Sequence, residues 1–142
     1  MHKMKNLDET MNEGKEIALQ LLSAQPIYFG SMKPSDIPED IAGVYAIFEN
    51  NTNEALYIGR TKKLRRRVYT NHLHGSVANA RLKKYLVEDN MLPEIRDMES
   101  AKIFLKENCY VKYIIEEDVA RRGKIEGLLS YLLDVRYIHE EH

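Results

Sequence analysis

The sequence predicts an α/β domain, a small three-stranded sheet with helices packed on it. Two short apolar runs, residues 43–49 and 54–59, flank Asn50-Asn51-Thr52-Asn53, the turn chemistry of a β-hairpin. A third run, residues 110–116, alternates Val111, Tyr113 and Ile115 with Lys112 and Ile114. Helical periodicity fills most of the remainder, and strands interleaved with such segments bury their apolar faces as an α/β sandwich.

The elements follow in order. Residues 5–24 read as an amphipathic helix through Leu7, Met11, Ala18, Leu21 and Leu22, stopped by Pro26. Residues 26–42 hold Pro26, Pro34, Pro38 and Gly30 and read as an irregular connection. In the hairpin, a loop centred on Asn51 sets Tyr45 directly opposite Tyr57, on one face. A basic helix over about 62–73 follows, with Leu64 and Val68 as its apolar stripe and Gly75 as its end. A second helix over about 77–88 uses Val77, Ala80 or Arg81, Tyr85 and Leu86, and a third over 98–108 uses Ala101, Phe104 and Leu105. The last runs from Asp118, an N-cap, to Asp134, with Ile125, Leu128, Leu129 and Leu132 as its core stripe.

Composition narrows the function. At 142 residues the chain makes one domain with a core. Its longest apolar stretch, 127–133, is too short to span a bilayer, and the first ten residues lack an apolar signal core. A cytoplasmic protein with no membrane partner is the expectation. The single Cys109 forms no internal disulfide and no cysteine zinc site. The net charge of −1 hides an asymmetry: residues 60–87 carry nine Lys/Arg and no Asp or Glu, against twelve basic and twenty-two acidic residues elsewhere. That segment is either a phosphate-binding face or a solvated helix face.

Within it Arg67 is the most informative residue. At about 100° per residue, Arg66 points away from the Leu64/Val68 stripe while Arg65 and Arg67 flank it. A flanking arginine lies along the sheet beside the tyrosines, and its fork suits phosphate oxygens. The alternative is a surface arginine over the core. Glu126 borders the buried stripe of the last helix. Facing a basic, tyrosine-bearing cleft, it is a natural ligand for Mg²⁺, which often takes one or two protein carboxylates. His72 and His74 follow the basic helix, where either serves as a general base or as a dipole partner.

Gly43-Val44-Tyr45, then Tyr57-Ile58-Gly59, then Arg67 ten residues past the second tyrosine, then a Glu on a late helix resemble the GIY-YIG nuclease superfamily. The run Gly59-Arg60-Thr61-Lys62-Lys63-Leu64-Arg65-Arg66-Arg67 is similar to the family's segment after its second motif. The resemblance spans about residues 42–138, which divides the chain into an N-terminal helical extension and linker, 1–40, and a nuclease-like domain, 41–142. It implies a three-stranded antiparallel sheet and metal-dependent hydrolysis of phosphodiester bonds in DNA, with RNA as an alternative. Tyr45 and Tyr57 match residues that orient or activate water, Arg67 the residue that stabilises the phosphate, and Glu126 the ligand of the divalent metal, Mg²⁺ or Mn²⁺. Arg60, Lys62, Lys63, Arg65, Arg66, Lys83 and Lys84 are expected to grip neighbouring backbone phosphates.

Two positions depart from the family pattern. The place four residues after the arginine, often His or Tyr, is Asn71, with His72 one residue later. Either a local shift lets His72 serve, or Asn71 substitutes without basicity. Ile138 stands where the family often has Asn, with His139 following. Residues 1–40, with four Lys against seven Asp/Glu, make a poor second DNA-binding module. The rival readings are a non-catalytic nucleic-acid-binding module on the same fold and an adaptor whose Tyr/Arg groove takes a protein partner.

Overall fold

The computed structural model describes residues 5–74 and 81–138, with the side chains of residues 71–74 outside that description. Helix α1 (Leu7–Ser23) starts at Asn6, whose side chain accepts from the Glu9 N–H at 2.8 Å. The strands are β1 (Ile27–Tyr28), β2 (Gly43–Glu49), β3 (Ala55–Thr61) and β4 (Cys109–Ile115). A π-helix (Arg66–His74) follows β3, and then come α2 (Arg81–Glu88), α3 (Met98–Asn108) and α4 (Val119–Leu132). The expected helix end at Gly75 and its neighbours Val77 and Ala80 lie outside the described residues, as does His139.

The sheet is antiparallel in the order β1-β4-β2-β3. Three strands are those the sequence predicts. The fourth is the two-residue edge strand β1, inside the stretch expected to be irregular, and a strand that short has no periodicity to read. Both faces of the sheet are covered. Tyr45, Ile47, Tyr57 and Val111 pack with Leu64, Val68, Leu82, Leu86 and Leu105 from the π-helix region, α2 and α3. Val44, Ala46, Phe48, Ile58, Tyr110 and Ile114 pack under Ala18 and Leu21 of α1 and Ile125 and Leu129 of α4. Each fully buried Leu or Val of this kind contributes about 1.5–3 kcal/mol. Burial on both faces also explains why residues 43–48 are apolar almost without interruption.

The hairpin register corrects the expected pairing. Tyr45 lies opposite Gly59, and Tyr57 opposite Ile47. The loop closes at Glu49 and Glu54, with an N–H···O bond of 2.9 Å, and Asn53 takes the left-handed region at φ 59°. The Glu49 carboxylate accepts from the Asn51 and Thr52 N–H groups, so the turn is centred half a residue later than Asn51. A β-bulge between the Ile47 and Phe48 pairs then inserts Leu56 into β3. The half-residue shift alone would have put the tyrosines on opposite faces, and the inserted residue returns them to one face as diagonal neighbours.

Two further corrections concern helices. The predicted α-helix over 62–73 begins at Leu64 and widens into the π-helix from Arg66. The run Val68-Tyr69-Thr70-Asn71 consists of weak α-helix formers, and the Leu64/Val68 stripe fits either helix. On α4 the buried stripe is Arg122, Ile125 and Leu129, while Leu132 is exposed. Leu133 and Val135, just past the helix, pack in its place.

Candidate active site

The glycines of the hairpin set the geometry. A Cβ on Gly59 would overlap the Tyr45 hydroxyl and lie 2.5 Å from its Cζ, so the Tyr45 ring runs flat across the β3 backbone only because that position is glycine. A Cβ on Gly43 would lie 2.9 Å from Leu64 Cδ1 and overlap the Ile114 carbonyl, so the chain entering the π-helix packs directly onto β2. The phenol of Tyr45 is thereby carried across β3, an edge strand whose other face packs under α4.

Around it converge the residues singled out in the sequence. The rings of Tyr45 and Tyr57 lie 6.3 Å apart at 36°. Arg67 hydrogen-bonds the Tyr45 hydroxyl, its guanidinium donating to the phenol oxygen. Glu126 is close enough for its charge to act on both phenols. Tyr45 is fully buried, and that burial drives its pKa far above the ordinary tyrosine value, helped by Tyr57 and opposed by Arg67. Burial likewise raises Tyr57, against the pull of Arg81 and Arg67. Both phenols are therefore neutral near pH 7.

Arg81, Tyr85 and Tyr137 were not anticipated as part of this cluster. Tyr85 lies 6.4 Å from Tyr57 and stacks on Tyr137 at 5.7 Å and 21°. Tyr137 donates to Asp89 at 2.6 Å, and its N–H pairs with the Leu56 carbonyl on β3. The Tyr85 ring thus links Tyr57 to Tyr137. Ile138 follows at 63 % exposure. Nothing in the periodicity of α2 marked Tyr85 as more than a core aromatic.

The predicted phosphate-gripping residues divide. Arg60, Lys62, Lys63, Arg66 and Arg67 line one groove of about 640 Å³, together with Thr61, Val119 and Arg122. Arg65 is turned to the N-terminal side, where its Nε donates to the Ile37 carbonyl at 2.9 Å and its Nη1 meets Glu39 at 3.2 Å. Lys83 is 3 % exposed, in the company of Glu99, Lys102 and Lys106 of α3, and its burial pulls its pKa down. Lys84, on the same helix, is exposed and does not line the groove. Arg122 is the residue that sequence reading missed. Its place in an otherwise apolar stripe was the available signal.

His72 lies in the π-helix, with its side chain, like that of His74, outside the described residues. The backbone register matters here. A π-helix bonds i to i+5, so the backbone carbonyl of Arg67 pairs with residue 72, where an α-helix would pair it with 71.

The donor set suits a hard cation. Among the described residues no three His, Cys, Asp or Glu side chains converge. A half-buried carboxylate, Glu126, beside two neutral phenols instead suits Mg²⁺ or Mn²⁺, ions that complete their shell with water and phosphate oxygens.

This sheet, with its tyrosines, arginine and carboxylate beside a cationic groove, defines an α/β domain of nuclease type. Residues 41–117, more than half of the chain, match the family model of the GIY-YIG catalytic domain, and the chain belongs to that family, which is one of endonucleases. No curated protein and no solved structure matches it. Glu126 lies beyond the matched span. Among the described residues no helix is long and apolar enough to cross a membrane.

Proposed function

We propose that the chain is a metal-dependent endonuclease that hydrolyses phosphodiester bonds in DNA. The observation that carries this reading is the convergence of Tyr45, Tyr57, Arg67 and Glu126, with Arg67 also lining a groove that holds six cationic side chains and, among the described residues, no carboxylate.

In this mechanism a water attacks phosphorus, the bond from phosphorus to the leaving oxygen breaks, the water's proton passes to a base, and the leaving oxygen takes a proton from solvent. Tyr45 is neutral and already accepts a hydrogen bond from Arg67, so its own O–H is left to hold the water or a phosphate oxygen rather than to take a proton. Tyr57 holds the same water from the neighbouring position. Arg67 neutralises charge that develops on the non-bridging oxygens, an effect that is strong because the site is preorganised. His72, at the i+5 position from Arg67 in the π-helix, is the proton acceptor. Glu126 would hold Mg²⁺ or Mn²⁺, which when bound supplies Lewis acidity at the phosphate. Arg60, Lys62, Lys63 and Arg66 position the strand without reading its sequence.

Cleavage of labelled single-stranded DNA, duplex DNA and RNA in Mg²⁺, Mn²⁺ or EDTA tests this. The expected result is metal-dependent cutting of DNA. Salt-sensitive binding with no cutting of any substrate in either metal would favour the second reading, a nucleic-acid-binding module. The exposed Ile138, where the family often has Asn, is the observation behind that alternative.

A further inference from the structure

Among the described residues, Arg122 is a buried cation without a counter-charge. It sits three residues before Ile125 and seven before Leu129 on the core-facing stripe of α4, and is 5 % exposed. Its Nη1 donates to the carbonyls of Glu116 and Glu117, at 3.1 and 2.9 Å. These acceptors are neutral. The carboxylates of the same two residues are turned elsewhere. That of Glu116 receives Arg121 Nε at 3.0 Å and the Asp118 N–H at 3.1 Å, and that of Glu117 receives the Ala42 N–H at 3.3 Å. Among the described residues no carboxylate pairs with Arg122. Burying an unpaired charge is costly, and a site that does so is completed by a ligand that brings the opposite charge.

The surroundings say which ligand. Arg122 lines the same groove as Arg60, Lys62, Arg66 and Arg67, and no acidic side chain among the described residues lines it. None of these five is in an ion pair among the described residues. Arg60 reaches from β3 onto α4, where its Nη1 rests against Gly123; a Cβ there would collide with it. Guanidinium groups from two elements, β3 and α4, therefore line one groove, which Arg67 lines as well.

We propose that Arg122 and Arg60, seated on Gly123, form a second phosphate subsite that holds a backbone phosphate neighbouring the one under Arg67. The inference rests on the nuclease reading and extends it: the groove takes a polynucleotide strand across α4, not an isolated phosphate. Arg122 supplies a fixed guanidinium, since its Nη1 is already anchored to the backbone. Arg60 supplies a movable one.

The test is oligonucleotide binding to the full chain in EDTA, measured across a salt series, with inorganic phosphate as a competitor. The variants are Arg122→Gln, Arg122→Lys, Gly123→Ala and the exposed neighbour control Arg121→Gln. Removing one cation from the phosphate backbone should lower the slope of log affinity against log salt by about 0.7 to 0.9. That decrease is expected for Arg122→Gln and Gly123→Ala, with a smaller one for Arg122→Lys and none for Arg121→Gln. Gly123→Ala keeps the test valid should Arg122→Gln fail to fold, because alanine is a better helix former and the atom displaced is the end of a flexible side chain. An unchanged slope in folded Arg122→Gln or in Gly123→Ala would overturn the proposal, even if the wild type cuts DNA. A reduced slope in a protein that never cuts would sustain the subsite and remove the nuclease reading. Inorganic phosphate that displaces the oligonucleotide at concentrations far below those of other salts would overturn the polynucleotide assignment.

Discussion

At the scale of single residues, the site depends on what is missing at Gly59 as much as on what is present at Tyr45. The Tyr45 ring fills the space a Cβ would take, and it is fully buried, so it has nowhere to yield. Gly59→Ala is expected to cost about 1–3 kcal/mol in urea unfolding, the range for overpacking a tight core. It should also abolish cleavage by displacing the phenol. Tyr45→Phe separates the two effects. The ring stays, so thermal stability should change little, while cleavage falls by about 10²-fold through the lost hydroxyl. Equal losses of stability and activity in Tyr45→Phe would show that the hydroxyl serves the fold. Order and spacing along the chain single out Tyr45, Tyr57, Arg67 and Glu126 in the sequence, and the fold brings the four together. Arg122 was not, because a charge on an apolar stripe reads as a boundary residue until its neighbours are known.

At the scale of elements, the π-helix is the departure with the clearest consequence. It bonds each residue to the fifth one on, and so pairs position 72 with the backbone of Arg67. Deleting Asn71 would restore four-residue spacing between Arg67 and His72 and allow an ordinary α-helix. The expected outcome is that this deletion keeps cleavage within about tenfold of wild type, whereas His72→Ala loses about 10²-fold or more, the weight of a general base. Equal rates for wild type and His72→Ala would remove histidine from the mechanism. The helix type was hidden in the sequence because Leu64 and Val68 satisfy either geometry. The hairpin register was hidden because neither the half-residue shift of the loop centre nor the bulge at Leu56 is marked by the alternation of the strands. Helix α3 and the Asp118 cap of α4 were legible, as periodicity and capping are local signals.

At the scale of the whole molecule, a sheet buried on both faces sets the pH limits of stability. Burial raises Tyr45, Tyr57, Tyr110, Tyr137 and Cys109 above their ordinary values. In the unfolded chain the thiol titrates near 8.5 and the phenols near 10. The unfolded state therefore releases these protons first. Their contribution is intact below about pH 8.5 and is lost as pH rises through 10 and beyond. On the acid side, burial works against ionisation of Asp89, yet the Tyr137 hydroxyl, the Met91 N–H and Arg136 together hold its pKa below the usual value. That contribution is present above about pH 4 and is lost as pH falls further. Urea midpoints measured from pH 3 to 11 should form a plateau with both shoulders, and Tyr137→Phe should blunt both, having lost the phenol and its bond to Asp89. A midpoint still rising at pH 10 would contradict this view of the core. The two-layered helix cover was legible from periodicity, whereas the groove was not, because it is built from β3, the π-helix and α4 together.

The central claim, a phosphodiesterase built on Tyr45, Tyr57, Arg67 and Glu126, is tested most directly by single-turnover cleavage of end-labelled DNA in Mg²⁺ and Mn²⁺ by the wild type, Arg67→Ala and Glu126→Ala. The predicted result is metal-dependent cutting by the wild type, a loss of about 10²- to 10³-fold in Arg67→Ala, and no cutting by Glu126→Ala despite retained DNA binding. Cutting that survives both substitutions, or that proceeds equally in EDTA, would contradict the account.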